Sequence, residues 1–250
     1  MKLYKELAEY YFAIESNHRN IVFDIQFINS YLSKYQNPSV LDIGCGTGEH
    51  LDSIKKLGVQ KCVGIDNSPE MLQIARERFP DGIKFINMNF KSFDFYQEFD
   101  LVISLFGSIA YLINDKDMDM LFWNTWKSMK SGATGIFEIW NSIPVQKIKN
   151  KPLSHVSTTK YQDLVIERER GFELINKTKS IAEVNYRYIV SSPKGTLLYT
   201  DTHTMRAFSI DEVKSFIKNN GLILTDVFAN SKKEPFTENS NKMLIVFKKE

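Results

Sequence analysis

Between residues 39 and 141 the chain interleaves five short β-rich runs with helical segments, and that rhythm limits the possible folds more than any other feature. The runs are "SVLDIG", "KCVGID", "IKFINMN", "FDLVISLFG" and "ATGIFEIWN". Among them lie "EHLDSIKKLG", closed by Gly58, and "SPEMLQIARERF", which begins with a capping serine and a proline at the first helical position. "KDMDMLFWNTWKSMKSG" supplies a further helix with an aromatic face. Parallel strands need crossover connections, so this pattern predicts an α/β fold with one mainly parallel sheet and helices on both faces.

The flanks have a different texture. Residues 1–35 form a helical cap in which "LAEYYFAIES" and "IVFDIQFINSYL" are separated by the polar "NHRN". Residues 36–144 and 207–250 make the α/β core, and residues 145–206 are expected to be an inserted antiparallel β-sheet. No helix is expected in that insertion. Its β-rich stretches are "DLVIERERGF", "INKTKSIAEVNYRYIVSS" and "GTLLYTDTHTMRAF", with breaks at Gly171 and "SPKG". The core resumes with "SIDEVKSFIKNNG", where Ser209 and Glu212 form a capping-box pattern, and ends with the strands "LILTDVF" and "KMLIVFKK".

Composition narrows the setting. The 250 residues can bury a sizeable core, and a net charge of +2 gives no bulk attraction for polyanions, so no nucleic-acid partner is expected. Cys45 and Cys62 lack the spacing of a metal pair or a redox motif, and no metal is expected from His18, His50 or His155. "MKLYKELAEYY" has no apolar signal core, and no stretch approaches a membrane span. The expectation is a cytoplasmic protein without a membrane partner. Its oligomeric state leaves no trace in the sequence.

The turn "LDIGCGTGEH" carries the chemistry. A glycine-rich turn between strand and helix presents backbone N–H groups and lets a ligand approach the main chain. A Walker loop would end in Gly-Lys-Ser/Thr, whereas this turn ends Gly48-Glu49-His50. The dinucleotide fingerprint G-x-G-x-x-G fails at its third glycine, where Glu49 stands. Asp42 and Glu49 also flank the turn with negative charge, which disfavours a pyrophosphate and favours a cofactor bearing ammonium and sulfonium groups. S-adenosylmethionine is such a cofactor. Asp66, ending the second run, can accept hydrogen bonds from ribose hydroxyls, and Asn89 and Phe90 after the third run can hold an adenine edge and face. All open on the same rim of the predicted sheet.

With "VLDIGCGTG", "VGIDNSPEML", "FDLVISLFGSIAYL" and "FEIW" in that order, the chain resembles class I S-adenosylmethionine-dependent methyltransferases over residues 36–250. More narrowly, "SLFGSIAYL", "HTMRAFS" and the late β-rich insertion are similar to nucleotide-sugar N-methyltransferases of deoxyamino-sugar biosynthesis, with the glycine N-methyltransferase-like group as a neighbour. The resemblance implies a Rossmann-like seven-stranded sheet with an antiparallel last strand. It also implies a cofactor site comprising Tyr11, Asp42, Gly44, Cys45, Gly46, Gly48, Asp66, Asn67, Met71, Asn89, Phe90, Leu105 and Phe106. Core packing is the competing reading for Tyr10 and Tyr11, and the Cys45 thiol reads as a packing group rather than a nucleophile.

The segment Ser104–Tyr111 lies beside the cofactor's methionine half in such folds. It lacks both the Asn/Asp-Pro-Pro-aromatic signature and the nucleophilic cysteine of DNA methyltransferases, and Phe106 and Tyr111 suit a small-molecule acceptor. An amine must be neutral to attack, which makes His203, Tyr111 and Glu138 candidate catalytic residues, with Tyr186 beside them. "MDMLFWNTW" reads as core, and "ERERG" as a solvated strand face. The expected activity is N-methylation of an amine such as that of a nucleotide-linked amino sugar, with the insertion serving as a lid. The alternatives are O-methylation, tRNA methylation, or a non-catalytic S-adenosylmethionine-binding subunit.

Overall fold

The computed structural model describes residues 1–17 and 20–250, so His18 lies outside the described residues. A 3₁₀ turn over Ala8–Tyr10 leads into α1 (Tyr11–Ser16) and α2 (Ile21–Leu32). The core then runs β1 (Ser39–Ile43), α3 (Glu49–Lys56), β2 (Lys61–Asp66), α4 (Pro69–Arg78), β3 (Ile83–Asn87) and β4 (Phe99–Ser104). After a 3₁₀ turn at Ser108–Tyr111 come α5 (Asp115–Ser128) and β5 (Met129–Trp140). The second sheet follows a short α6 (Ser142–Lys147) and contains β6 (Lys151–Tyr161), β7 (Leu164–Asn176), β8 (Ile181–Ser192) and β9 (Gly195–Arg206). The chain closes with α7 (Ile210–Asn219), β10 (Leu222–Phe228) and β11 (Lys242–Lys249).

The main sheet has seven strands in the order β10-β11-β5-β4-β1-β2-β3, and β11 runs opposite to the other six. Chain order reverses between β1 and β4, which pair side by side, so a crevice opens beyond their carboxyl ends. All five β1 residues are buried, as a central strand covered on both faces requires. One apolar cluster, with Phe93, Phe99, Phe122, Phe137 and Phe247, covers one face of this sheet. Another, with Phe27, Leu51, Leu72, Leu101 and Ile103, covers the opposite one. Capping operates where the sequence predicts it. Ser68 Oγ accepts from Met71 N, and the Ser209–Glu212 box closes in both directions.

Four local expectations need correction. The insertion's first residues, 145–147, close a short helix, α6, started by Asn141, whose side chain accepts from Ile143 N. The insertion also holds a fourth strand, β6, in a segment the β-rich stretches omit. Gly171 does not break β7; it sits mid-strand because a Cβ there would lie 3.1 Å from the Lys151 carbonyl on β6. The helix α5 stops at Ser128, where Met129 turns extended to begin β5.

A third apolar cluster joins the two sheets. Leu3, Leu7 and Ile14 of the N-terminal segment pack with Ile166, Val184, Tyr188 and Met205 of the second sheet. That cluster places residues 1–16 as a roof over the crevice.

Candidate active site

The glycine turn spends its own amides. Gly44 N and Cys45 N both donate to the Ile65 carbonyl, at 2.8 and 3.0 Å, Gly46 N donates to Asp66 Oδ2 at 3.0 Å, and Gly48 N to the Cys45 carbonyl at 3.0 Å. The expectation that this turn presents free N–H groups is therefore corrected at these four positions. The consequence favours a cationic ligand: a phosphate would meet buried carboxylates and few unspent donors. Gly44, at φ +78°, allows close approach of the main chain, because a Cβ there would come within 2.7 Å of Ser108 Oγ and 2.9 Å of the Phe90 ring.

A cavity of about 180 Å³ opens beside the turn. It is lined by Gly44 and Gly46, by Asp66, Asn67 and Met71 after β2, by Asn89 and Phe90 after β3, and by Phe106 and Tyr111 after β4. Tyr11 and Tyr4 form its roof. A smaller adjoining hollow brings in Asp42, Cys45 and Leu105, together with Glu49 and His50. Gly48 lines neither space. It is packed against Phe85, whose ring a Cβ would meet at 2.8 Å.

The electrostatics follow from burial. Burial and the neighbouring Asp66 charge push the Asp42 carboxyl up to about 8. Burial also raises Asp66, against the opposing effect of N–H bonds from Ser68 and Gly46. Glu49 is tied to Arg78 at 2.7 Å and accepts from Thr47 Oγ1 at 2.6 Å. A positive ligand would favour ionisation of the buried Asp42 and Asp66 carboxyls. Phe106 adds local strain: at φ +60°, a costly conformation for an aromatic residue, it points its ring into all the adjoining spaces.

A second chamber, of about 260 Å³, shares Tyr4, Tyr11, Phe106 and Tyr111 with the first. The candidate catalytic residues His203, Tyr111 and Glu138 all line it, as does Tyr186. Tyr111 Oη is 2.6 Å from His203 Nδ1, and His203 Nε2 is 2.9 Å from Asp201 Oδ2. Tyr4 Oη meets Tyr111 Oη at 2.8 Å. Burial pushes both hydroxyls above the usual phenol range, so neither is a resident phenolate. Glu138 Oε2 accepts from Lys242 Nζ at 2.8 Å. Among the described residues, no three His, Cys, Asp or Glu side chains group as a metal site.

Arg168 overturns the reading of "ERERG" as a solvated face. Its side chain is 5% exposed, donates to Glu15 Oε1 at 2.9 Å and lies over the Tyr186 ring. Tyr4, Asp201, Glu15 and Arg168 escape sequence reasoning. Only Arg168 carries a local signal, the strand parity that places it on the same face as buried Ile166. Beyond Trp140, Arg170, Tyr186 and Lys242, the second chamber opens into a basin of about 500 Å³. Its lining holds Lys151, Arg170 and Lys242 and no carboxylate.

Comparison with known proteins meets this geometry directly. A family model described as a methyltransferase domain matches residues 40–132, the stretch containing the turn, Asp66, Asn89 and Phe106. The chain carries an S-adenosylmethionine-dependent methyltransferase domain. This methyltransferase is 26% identical over 79% of its length to a dTDP-4-amino-2,3,4,6-tetradeoxy-D-glucose N,N-dimethyltransferase of Saccharopolyspora spinosa, covering 76% of that protein. It is 30% identical over 41% of its length to a dTDP-3-amino-3,4,6-trideoxy-alpha-D-glucopyranose N,N-dimethyltransferase of Streptomyces venezuelae, covering 42% of it. Its fold is shared with a Clostridium acetobutylicum S-adenosylmethionine-dependent methyltransferase at a TM-score of 0.83, with 16% identity and 98% of each chain covered. An amino pentose methyltransferase from Micromonospora echinaspora superposes at a TM-score of 0.77, with 16% identity and 96% of each chain covered. No helix among the described residues is long and apolar enough to cross a membrane.

Proposed function

We propose that this methyltransferase transfers methyl groups to the amine of a nucleotide-linked deoxyamino sugar in the cytoplasm. The observation that carries the reading is the pairing of two chambers across shared aromatic residues, one beside the glycine turn with Asp66 in its wall, the other holding His203, Tyr111 and Glu138. The names of the dTDP-amino-sugar relatives and the cationic basin behind the second chamber support the acceptor class. A diphosphate-linked group fits Lys151, Arg170 and Lys242, while the sugar amine enters a chamber walled by His203, tyrosines and the Glu15–Arg168 and Glu138–Lys242 pairs.

In this reading Asp66 holds the ribose, Asn67, Asn89, Phe90 and Met71 hold the adenosine end, and Tyr11, Asp42, Leu105 and Phe106 surround the methionine end. The turn from Gly44 through Cys45 and Gly46 forms the floor, and Gly48 supports it from behind. Bound S-adenosylmethionine supplies an electrophilic methyl group. The protein's work is alignment, exclusion of water, and removal of the amine's proton. His203 is placed to accept that proton through Tyr111, and Glu138, held by Lys242, is placed to attract an ammonium. The cap of residues 1–35 covers the cofactor, and the insertion of residues 145–206 walls the acceptor chamber.

Labelled S-adenosylmethionine offered with dTDP-linked 3-amino and 4-amino deoxysugars, glycine and tRNA tests this reading. Label is expected on the amino sugars. Label on tRNA or glycine alone would reject the acceptor class. Cofactor binding with no transfer to any acceptor would favour a non-catalytic subunit.

A further inference from the structure

The N-terminal segment touches the His203 network at two consecutive residues. Leu3 donates its backbone N–H to Asp201 Oδ2 at 3.1 Å, and the same oxygen stands 2.9 Å from His203 Nε2. From His203 Nδ1 the contacts run to Tyr111 Oη and on to Tyr4 Oη. They leave the segment at residue 3 and return to it at residue 4. We propose that Asp201 is a positioning residue for proton removal, and that seating of the N-terminal segment over the cofactor chamber fixes both ends of the relay, at Asp201 and at Tyr111. This rests on the methyltransferase reading above.

The charge on Asp201 decides the geometry. Burial would raise its carboxyl, but the bonds from His203 and Leu3 outweigh burial and hold it below the usual carboxylate range. An ionised carboxylate only accepts, so it places the imidazole proton on Nε2 and leaves the Nδ1 lone pair facing Tyr111. A proton leaving the amine can then pass to the Tyr111 oxygen while the Tyr111 proton passes to Nδ1. One N–H bond breaks and one N–H bond forms, with the phenol restored. The resulting imidazolium faces Asp201, and the amine is neutral for a further transfer.

The charges around this network come from every element packed on it. Tyr4 and Tyr186 flank the imidazole, and Lys2 and the Met1 amine lie near Asp201. Across the chamber stand the Glu15–Arg168 and Glu138–Lys242 pairs and Arg170. Of these groups Asp201 is the carboxylate bonded to the ring itself, at 2.9 Å.

The same segment is fastened on the cofactor side. The Tyr4 carbonyl accepts from Ser68 Oγ at 2.6 Å, two residues beyond Asp66. Lifting the segment from the cofactor chamber therefore breaks the Tyr4–Tyr111 and Leu3–Asp201 bonds together. The Asp201–His203 and His203–Tyr111 contacts then persist, but Asp201 and Tyr111 each lose the bond that fixes them.

The test uses the full chain with S-adenosylhomocysteine and needs no acceptor. Imidazole ¹⁵N–¹H correlation reads the His203 tautomer, and amide hydrogen exchange reads the Leu3 bond. In the wild type, added S-adenosylhomocysteine is expected to slow exchange at Leu3 and Tyr4 while selecting the Nε2–H tautomer. Asp201→Ala is expected to speed Leu3 exchange about tenfold or more and to mix the tautomers. Asp201→Asn, which keeps an acceptor oxygen, is expected to restore slow exchange. An unchanged tautomer in Asp201→Ala, or wild-type exchange and tautomer that respond independently to the ligand, would overturn the proposal. Failure of the wild type to bind S-adenosylhomocysteine at all, read by calorimetry, would instead reject the cofactor reading beneath it.

Discussion

Asp42 sits 3% exposed at the end of β1, and burial with the Asp66 charge places its carboxyl near 8. Because the folded value lies above the ordinary one near 4, this group's contribution to stability is complete below about pH 4 and lost as pH rises through 8. At pH 7 Asp42 is therefore mostly protonated in the protein alone. A positive cofactor beside it favours the anion, so binding at pH 7 should release up to about one proton. The slope of calorimetric binding enthalpy against buffer ionisation enthalpy measures this release. It should vanish at pH 9 and in Asp42→Asn; a zero slope at pH 7 would reject the assignment. At Gly44 a methyl group has nowhere to go, with Ser108 Oγ at 2.7 Å and φ at +78°. Gly44→Ala should cost about 1–3 kcal/mol in urea unfolding and weaken S-adenosylhomocysteine binding by at least about tenfold. Such residues were legible because their signals are local: the turn, Asp66, Asn89 and Phe90 each follow directly from a strand end. Tyr4 and Asp201 were not, since their bonds span 107 and 198 residues and depend on how the N-terminal segment lands.

β7 is the element whose sequence misled. Alternating Glu and Arg over residues 167–170 suggest a solvated face, but a strand has two faces and the period of two decides between them. Ile166 and Arg168 share the inward face; Glu167 is exposed on the other. Burial opposes the Arg168 charge, and Glu15, Tyr188 and Tyr186 more than offset it, so the guanidinium stays charged and fastens α1 to the second sheet. Arg168→Ala should therefore cost about 3 kcal/mol, since it strips a buried ion pair and a cation–π contact. Arg187→Ala, which removes a solvent-facing partner of Glu169, should change stability by less than about 1 kcal/mol. Equal losses in urea titrations of the two variants would reject the distinction. The missing β6 has a similar origin: its residues 151–155 are all exposed and present no apolar alternation to read.

At the scale of the molecule, the alternation of strands and helices was enough to specify the sheet, because right-handed crossovers leave few arrangements for parallel strands. What it could not specify was how the second sheet docks. That docking rests on the cluster in which Leu3, Leu7 and Ile14 meet Ile166, Val184 and Tyr188, side chains brought together from segments far apart in the chain. The cluster makes the N-terminal segment common to both sheets, so the two should melt together. S-adenosylhomocysteine at 100 times its dissociation constant adds about 2.7 kcal/mol to the folded state. For a chain of this length that raises Tm by roughly 5–11 °C. Scanning calorimetry should show one transition moving as a whole by that amount, with NADH leaving it in place. A lower transition that ignores the ligand would mean that the second sheet unfolds on its own and that the apolar cluster does not couple it to the cofactor site.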